Sequence, residues 1–269
     1  MVTPRDWDGV RYDRLSDPQV RMALPVLDRL ALRGDETVLD AGCGSGRVTE
    51  LLLERVPRGR VIAVDASQSM IEQARQRLER HGDRVRLVGA DLQQPLPVGE
   101  LVEGGDAGGG RLDAGNDGFV DAVLSTATFH WIKDHDALFR NLAALMRPGA
   151  QLVFQCGGEG NIASVVAALR EMGETWEGPW NFAGPEETRE RLERAGFEEI
   201  NCWLTREPVA LEPGEAAETY LATVVLGAHV DRLTESERQA YVREVAARLP
   251  NPERPVLDYV RLNAAARRA

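Results

Sequence analysis

Lysine is almost missing from this chain. Every cationic side chain except Lys133 is an arginine, which removes most lysine-dependent chemistries from contention. Cysteine is scarce as well: Cys43, Cys156 and Cys202 are scattered, odd in number and without a CxxC pair. Neither a disulfide framework nor a structural zinc site is expected, and no metal ligands are assigned. No apolar run approaches a membrane span, and residues 1–20 lack the apolar core of a signal peptide, so a cytoplasmic protein is expected. Positive charge is not in excess. The net charge of −11 argues against nucleic acid or an anionic membrane as partner. What is present is ordinary for a folded protein: 269 residues, 43% apolar and 28% charged, enough for one α/β domain with a real core.

The chain is organised around Thr37 to Asp65, TVLDAGCGSGRVTELLLERVPRGRVIAVD. It reads as a buried strand, a loop with glycines at 42, 44 and 46, a helix, and a second strand ending in Asp65. The alternating glycines let the backbone pass close to a ligand, and the helix N-terminus offers free N–H groups. In open α/β sheets ligands lie at the carboxyl ends of the strands, where this loop falls. A phosphate P-loop would need a lysine after the glycines, and a dinucleotide loop a glycine where Arg47 stands. Asp65 can accept both hydroxyls of a ribose. Asp40, beside the loop, suits a ligand carrying an ammonium better than a pyrophosphate, which it would repel.

The D-x-G-x-G-x-G run resembles motif I of the class I methyltransferases that use S-adenosylmethionine. WDGVRYDRLSDPQVR, DASQSMIEQAR, FHWIKDHDALF and LTESER extend the likeness from Trp7 to the end, toward the small-molecule branch that includes trans-aconitate 2-methyltransferase. The resemblance implies a Rossmann-like α/β fold with a seven-stranded, mostly parallel sheet in the order 3-2-1-4-5-7-6. Its helices cover both faces, with a small helical cap. The implied cofactor is S-adenosyl-L-methionine, released as S-adenosyl-L-homocysteine. Its expected contacts are Gly42, Cys43, Gly44 and Gly46 in the loop, Asp40, Asp65, Ala66, and Asp91 with the backbone of Leu92 at the adenine. Ser125 is expected near the methionine end, and Tyr12 and Gln19 on an arm folded over the cofactor. Met70, one turn into the helix after Asp65, would lie near the adenine ring.

Taken in order, residues 1–33 read as an arm and a helix, with Asp17-Pro18 as a helix start and Val20 to Leu32 at helical spacing. Ser67 should cap a helix running to about Arg80, followed by a strand at Val85 to Val88. Residues 99–118 are glycine-rich and acidic, and read as a flexible insertion absent from the family pattern. A strand from Phe119 to Ser125, a helix from Asp134 to Met146, a turn at Arg147-Pro148-Gly149 and a strand at Gln151 to Gln155 follow. Helices are expected at Ile162 to Glu174 and Glu186 to Ala195, then a strand at Phe197 to Arg206. Glu215 to His229 and Ser236 to Leu249 read as two helices of a cap spanning 208–250, and Val256 to Ala264 as the final strand. No linker marks a second domain, so 1–269 reads as one methyltransferase domain.

Methyl transfer from a sulfonium is a direct displacement that needs alignment and exclusion of water, not a covalent intermediate. A carboxylate acceptor needs no base, whereas a hydroxyl or amine does. His130 is the candidate base, because its segment faces the site in the family and histidine titrates near neutrality. Arg21 matches one arginine of the family's arm, but Gln19 replaces the other. The expected partner is a small molecule, methylated on a carboxylate or hydroxyl oxygen or on carbon or nitrogen, by a monomer or homodimer. The rival readings are an NAD(P)-dependent reductase, which lacks its Tyr-x-x-x-Lys pair here, and a non-catalytic S-adenosylmethionine-binding module.

Overall fold

The computed structural model describes residues 6, 7, 9, 13, 17–96 and 119–269. Tyr12 and the insertion expected at 99–118 lie outside the described residues. Helix α1 (Asp17–Leu27) leads into strand β1 (Thr37–Ala41), α2 (Arg47–Arg55), β2 (Arg60–Asp65), α3 (Gln68–Leu78) and β3 (Val85–Gly89). Next come β4 (Val120–Thr126), α4 (His135–Leu145), β5 (Met146–Gly157), α5 (Ala163–Glu171), α6 (Pro185–Arg194) and β6 (Phe197–Arg206). The chain closes with β7 (Val209–Ala210), α7 (Glu215–Tyr220), α8 (Gly227–Val230), α9 (Glu235–Arg248), β8 (Val256–Leu257) and β9 (Val260–Arg268).

Seven strands form one sheet in the order β3-β2-β1-β4-β5-β9-β6. Pairings from β3 through β5 are parallel, and β9 runs antiparallel between β5 and β6. With β9 as the seventh strand, this is the order the resemblance implies. Alternation along each strand splits the core between two faces. Val38, Val61, Leu124 and Val153 pack with α1, α2 and α3, through Val26, Leu27, Leu52 and Leu78. Leu39, Ile62, Val123 and Phe154 pack on the other side with Leu138, Phe139 and Leu142 of α4. Every residue of β1 is buried, as a central parallel strand covered on both faces must be.

Local signals fix the ends. Ser67 caps α3 by accepting from the Met70 N–H at 3.2 Å, and Asp134 caps α4 by accepting from Ala137 at 2.8 Å. Three expectations need correction. The helix expected over Glu215 to His229 is interrupted by a π turn at Leu221–Val225, where the Leu226 N–H reaches back five residues to the Leu221 carbonyl at 2.7 Å. The turn at 147–149 is drawn into β5, whose pairing with β4 shifts register between Val120 and Ala122. The final strand begins at Val260, not Val256, and runs on to Arg268.

A separate apolar cluster joins Val165 and Leu169 of α5 to Trp180, Tyr220, Val224, Val245 of α9, and Tyr259. Among the described residues no helix is long and apolar enough to cross a membrane.

Candidate active site

The glycine loop is held at its first residues by the neighbouring strand. The N–H groups of Gly42 and Cys43 both donate to the Val64 carbonyl, at 2.8 and 3.0 Å. Gly42 has φ +91°, and a Cβ there would stand 2.2 Å from the Thr128 side chain, whose hydroxyl donates to the Gly42 carbonyl at 3.1 Å. Gly44 differs: with φ +53°, a Cβ would meet nothing within 4 Å, so the chain here borders open space. Its N–H donates to Asp65 Oδ2 at 2.9 Å, and the Ser67 N–H donates to Oδ1 at 2.9 Å. Burial raises the Asp65 pKa above the ordinary carboxylate value, and these backbone donors oppose the shift.

The cleft in front of the loop measures about 810 Å³. It brings together Gln19, Gly42, Cys43, Gly44, Asp65, Ala66, Met70, Asp91 and Leu92 from the sequence-predicted set. Asp91 Oδ1 accepts from the Gln93 N–H at 2.9 Å, which holds the carboxylate at the end of β3. Cys43 is buried, and burial together with Asp65 and Asp40 drives its pKa well above the ordinary thiol value, so it carries no thiolate.

Four members of the predicted set do not line this cleft. Gly46 (φ +82°) caps α2 and faces α3, where a Cβ would lie 3.1 Å from Leu78. Ser125 is buried and donates to the Ala41 carbonyl at 2.6 Å, leaving Thr126, Ala127 and Thr128 at the wall. Asp40 lies behind the loop, 1% exposed, accepting from Thr49 Oγ1 at 2.6 Å. Burial, with a smaller contribution from Asp65, pushes its pKa up to about 7. The fourth is His130.

His130 sits on the turn Phe129–Trp131, pinned because Phe129 is fully buried against Phe154, ring centroids 4.9 Å apart. Burying such a ring stabilises the turn by roughly 2–3 kcal/mol. His130 and Trp131 therefore project into a second cavity of about 40 Å³. This cavity shares Trp7, Gln19, Ala127 and Trp131 with the cleft, so the two adjoin. His130 Nδ1 accepts from the Gly157 N–H at 3.2 Å, and its ring stacks 6.0 Å from Phe182. Burial, then Arg261, then His135 hold its pKa well below the ordinary imidazole value. The ring is neutral, with its proton on Nε2.

Facing it is Arg261 of β9, 4% exposed, with an Nε that has no hydrogen-bond partner. Among the described residues no carboxylate lies within 4.0 Å of its guanidinium. Tyr259, 5.6 Å below the guanidinium, shares a hydrogen bond of 3.2 Å with Tyr220, whose hydroxyl accepts from Gln19 Nε2 at 2.7 Å.

Sequence reasoning missed Arg261, Trp7, Arg47, Thr128, Lys133 and Trp176 as lining residues. The described residues of the arm are anchored to the glycine loop, to α3 and to the turn after β4. Asp13 accepts from Ser45 at 2.6 Å and from Arg77 at 2.8 Å, Asp6 accepts from Ser67 at 2.6 Å, and Trp7 meets Trp131 edge-on at 5.0 Å. Ala127, at φ +56°, is a strained non-glycine residue at the junction of the two cavities, and nothing in its sequence context announces it.

Residues 39–152, from β1 into β5, match a family model described as "Methyltransferase domain". The chain is 28% identical over 246 residues to a trans-aconitate 2-methyltransferase of Azoarcus sp. strain BH72, covering 88% of this chain and 86% of that one. Among solved structures it is similar to the YcgJ protein of Bacillus subtilis (TM-score 0.61, 15% identity, 93% of this chain and 97% of that one). It is also similar to a Haemonchus contortus phosphoethanolamine N-methyltransferase 2 bound to S-adenosylhomocysteine (TM-score 0.60, 17% identity, 97% of this chain and 56% of that one).

Proposed function

We propose that this chain, an S-adenosylmethionine-dependent methyltransferase of the class I fold, transfers its methyl group to a carboxylate oxygen of a small-molecule acid. The observation that carries this reading is the buried, unpaired Arg261 in a cavity that adjoins the glycine-loop cleft. A guanidinium in that position asks for an anion, and its fork matches a carboxylate.

In this reading the cofactor occupies the 810 Å³ cleft, its ribose on Asp65, its adenine between Met70 and Asp91–Leu92, and its amino acid end at the glycine loop and Gln19. Asp40 acts from behind the loop, where an ammonium in front favours its carboxylate form. Residues 208–250 close the acceptor side as a cap. One carboxylate oxygen attacks the methyl carbon opposite the sulfur. The new O–C bond forms as the C–S bond breaks, and the electron pair stays on sulfur as a neutral thioether. No proton moves, so no base is needed. His130 fits that balance: its Nδ1 is occupied by Gly157, and its Nε2–H is a donor able to orient the acid beside Arg261. The ester product is uncharged, so Arg261 loses its partner when the reaction is complete, which favours release.

The test is S-adenosylhomocysteine release across a panel of acids, alcohols and amines, with the methylated atom identified by mass spectrometry and by base hydrolysis of the product. Base-labile methyl esters are expected. Transfer only to nitrogen, carbon or a hydroxyl would overturn the assignment.

A further inference from the structure

We infer that the acceptor carries a single carboxylate on an apolar body, and that the site rejects acids with a second carboxylate. The inference rests on the carboxylate reading above and narrows it. Among the described residues three cationic side chains line the two cavities: Arg47, Lys133 and Arg261. Arg47 is paired with Asp17 at 2.6 Å. The Lys133 ammonium donates to the carbonyls of Trp180 at 2.7 Å and Gly178 at 3.3 Å. Arg21, the arginine of the arm segment, is exposed on α1 and lines neither cavity. Gln19, at the other arm position, is neutral. Among the described residues, then, Arg261 is the one cation of the small cavity and has no anion beside it, while the Lys133 ammonium faces the cleft with its donors turned to backbone carbonyls.

Size and polarity agree with the charge count. At about 40 Å³ the cavity is small beside the adjoining 810 Å³ cleft, which suits a compact group such as a carboxylate at Arg261. Among the described residues, beyond Arg261, His130, Asn161, Gln19 and Tyr259 the cavity wall is apolar or aromatic, with Ile162, Trp180, Phe182, Val224 and Val225. A second carboxylate drawn in among these side chains would be desolvated without a partner. An aliphatic or aryl body would instead lie along Trp7 and Trp131 toward the cleft. This sets the chain apart from trans-aconitate, a tricarboxylate, named for its Azoarcus relative.

The test is calorimetric binding to the full chain saturated with S-adenosylhomocysteine, using hexanoate, adipate and trans-aconitate. Hexanoate and adipate share a six-carbon chain and differ by the second carboxylate. Hexanoate should bind about a hundredfold more tightly than adipate, and trans-aconitate should bind no better than adipate. Arg261→Gln should weaken hexanoate by about a hundredfold while S-adenosylhomocysteine affinity stays within about twofold. If Arg261→Gln does not fold, the hexanoate-to-adipate ratio of the wild-type protein decides alone. Equal or tighter binding of adipate or trans-aconitate, absence of hexanoate binding, or a folded Arg261→Gln that binds hexanoate normally would overturn the inference. Because the readout is binding, the two readings fail separately. Hexanoate that binds through Arg261 but never becomes an ester defeats the carboxylate-methylation reading and leaves the single-anion pocket standing. Trans-aconitate esterified while hexanoate is ignored does the reverse.

Discussion

Asp65 is tied to the backbone on both sides, by Gly44 and by Ser67, before any ligand arrives. Each oxygen keeps a further lone pair, so in the proposed reading the carboxylate is held in place for a ribose in advance of binding. Replacing Asp65 by Ala should weaken S-adenosylhomocysteine at least a hundredfold by calorimetry, since it removes acceptors from a charged group and orphans two N–H donors. Affinity within threefold of wild type would remove Asp65 from the site. His130 permits a sharper test of role. As a neutral donor it should titrate only well below pH 6.5, so kcat at saturating cofactor and acid should be flat from pH 6.5 to 9. His130→Gln, which keeps a donor, should lower kcat about tenfold without changing that profile. A wild-type profile with an acid limb near neutrality that vanishes in His130→Gln would restore the base role. Asp65 and Asp91, which both line the cleft, were legible because Asp65 closes β2 and Asp91 follows β3 by two residues in a βαβ pattern. Arg261 was not: on an alternating strand an arginine reads as solvent-facing, as does Asn263 two residues on. β9, however, is inserted between β5 and β6, and both residues end up buried, at 4% and 0% exposure.

Among the elements, the join between β1 and α2 depends on the turn after β4. Thr128 reaches across to the Gly42 carbonyl and occupies the space a side chain at 42 would need. Gly42→Ala therefore meets both an unfavourable φ and a clash with Thr128, and the melting temperature should fall by about 5 °C or more, with cofactor affinity falling alongside. Calorimetric melting with and without S-adenosylhomocysteine checks both, and an unchanged melt would mean the loop relaxes freely. Element existence was readable from periodicity. β6 appears at its expected bounds, and Asp17 opens α1 as its Asp-Pro signal implies. The break inside 215–229 was not readable, because Leu221 to Leu226 is apolar apart from Thr223 and carries no proline and no glycine. A π turn widens the helix by one residue without any sequence punctuation, and such turns gather at functional sites. Here it presents Val224 and Val225 together to the smaller cavity.

For the whole molecule, Asp40 is expected to couple stability, acidity and cofactor binding. Its pKa in the folded protein, about 7, is raised above the ordinary carboxylate value because the group is buried, so between roughly pH 4 and 7 the folded state holds a proton that the unfolded chain has released. Folding stability contributed by this group is greatest at the acid end of that window and declines as pH rises through 7. A cofactor ammonium placed before the loop favours the ionised form, so binding should pull in the opposite direction. The dissociation constant for S-adenosylhomocysteine should be about tenfold weaker at pH 6 than at pH 8. Asp40→Asn keeps an oxygen to accept from Thr49 but cannot ionise. At pH 8 the unliganded variant should melt about 3 °C or more above wild type, while its cofactor affinity is lower and nearly independent of pH. Melting and calorimetry at pH 6, 7 and 8 on both proteins decide it. If the wild-type affinity is flat across that range, or if Asp40→Asn retains the same slope, the buried carboxylate behind the glycine loop is not the group that senses the ligand's charge.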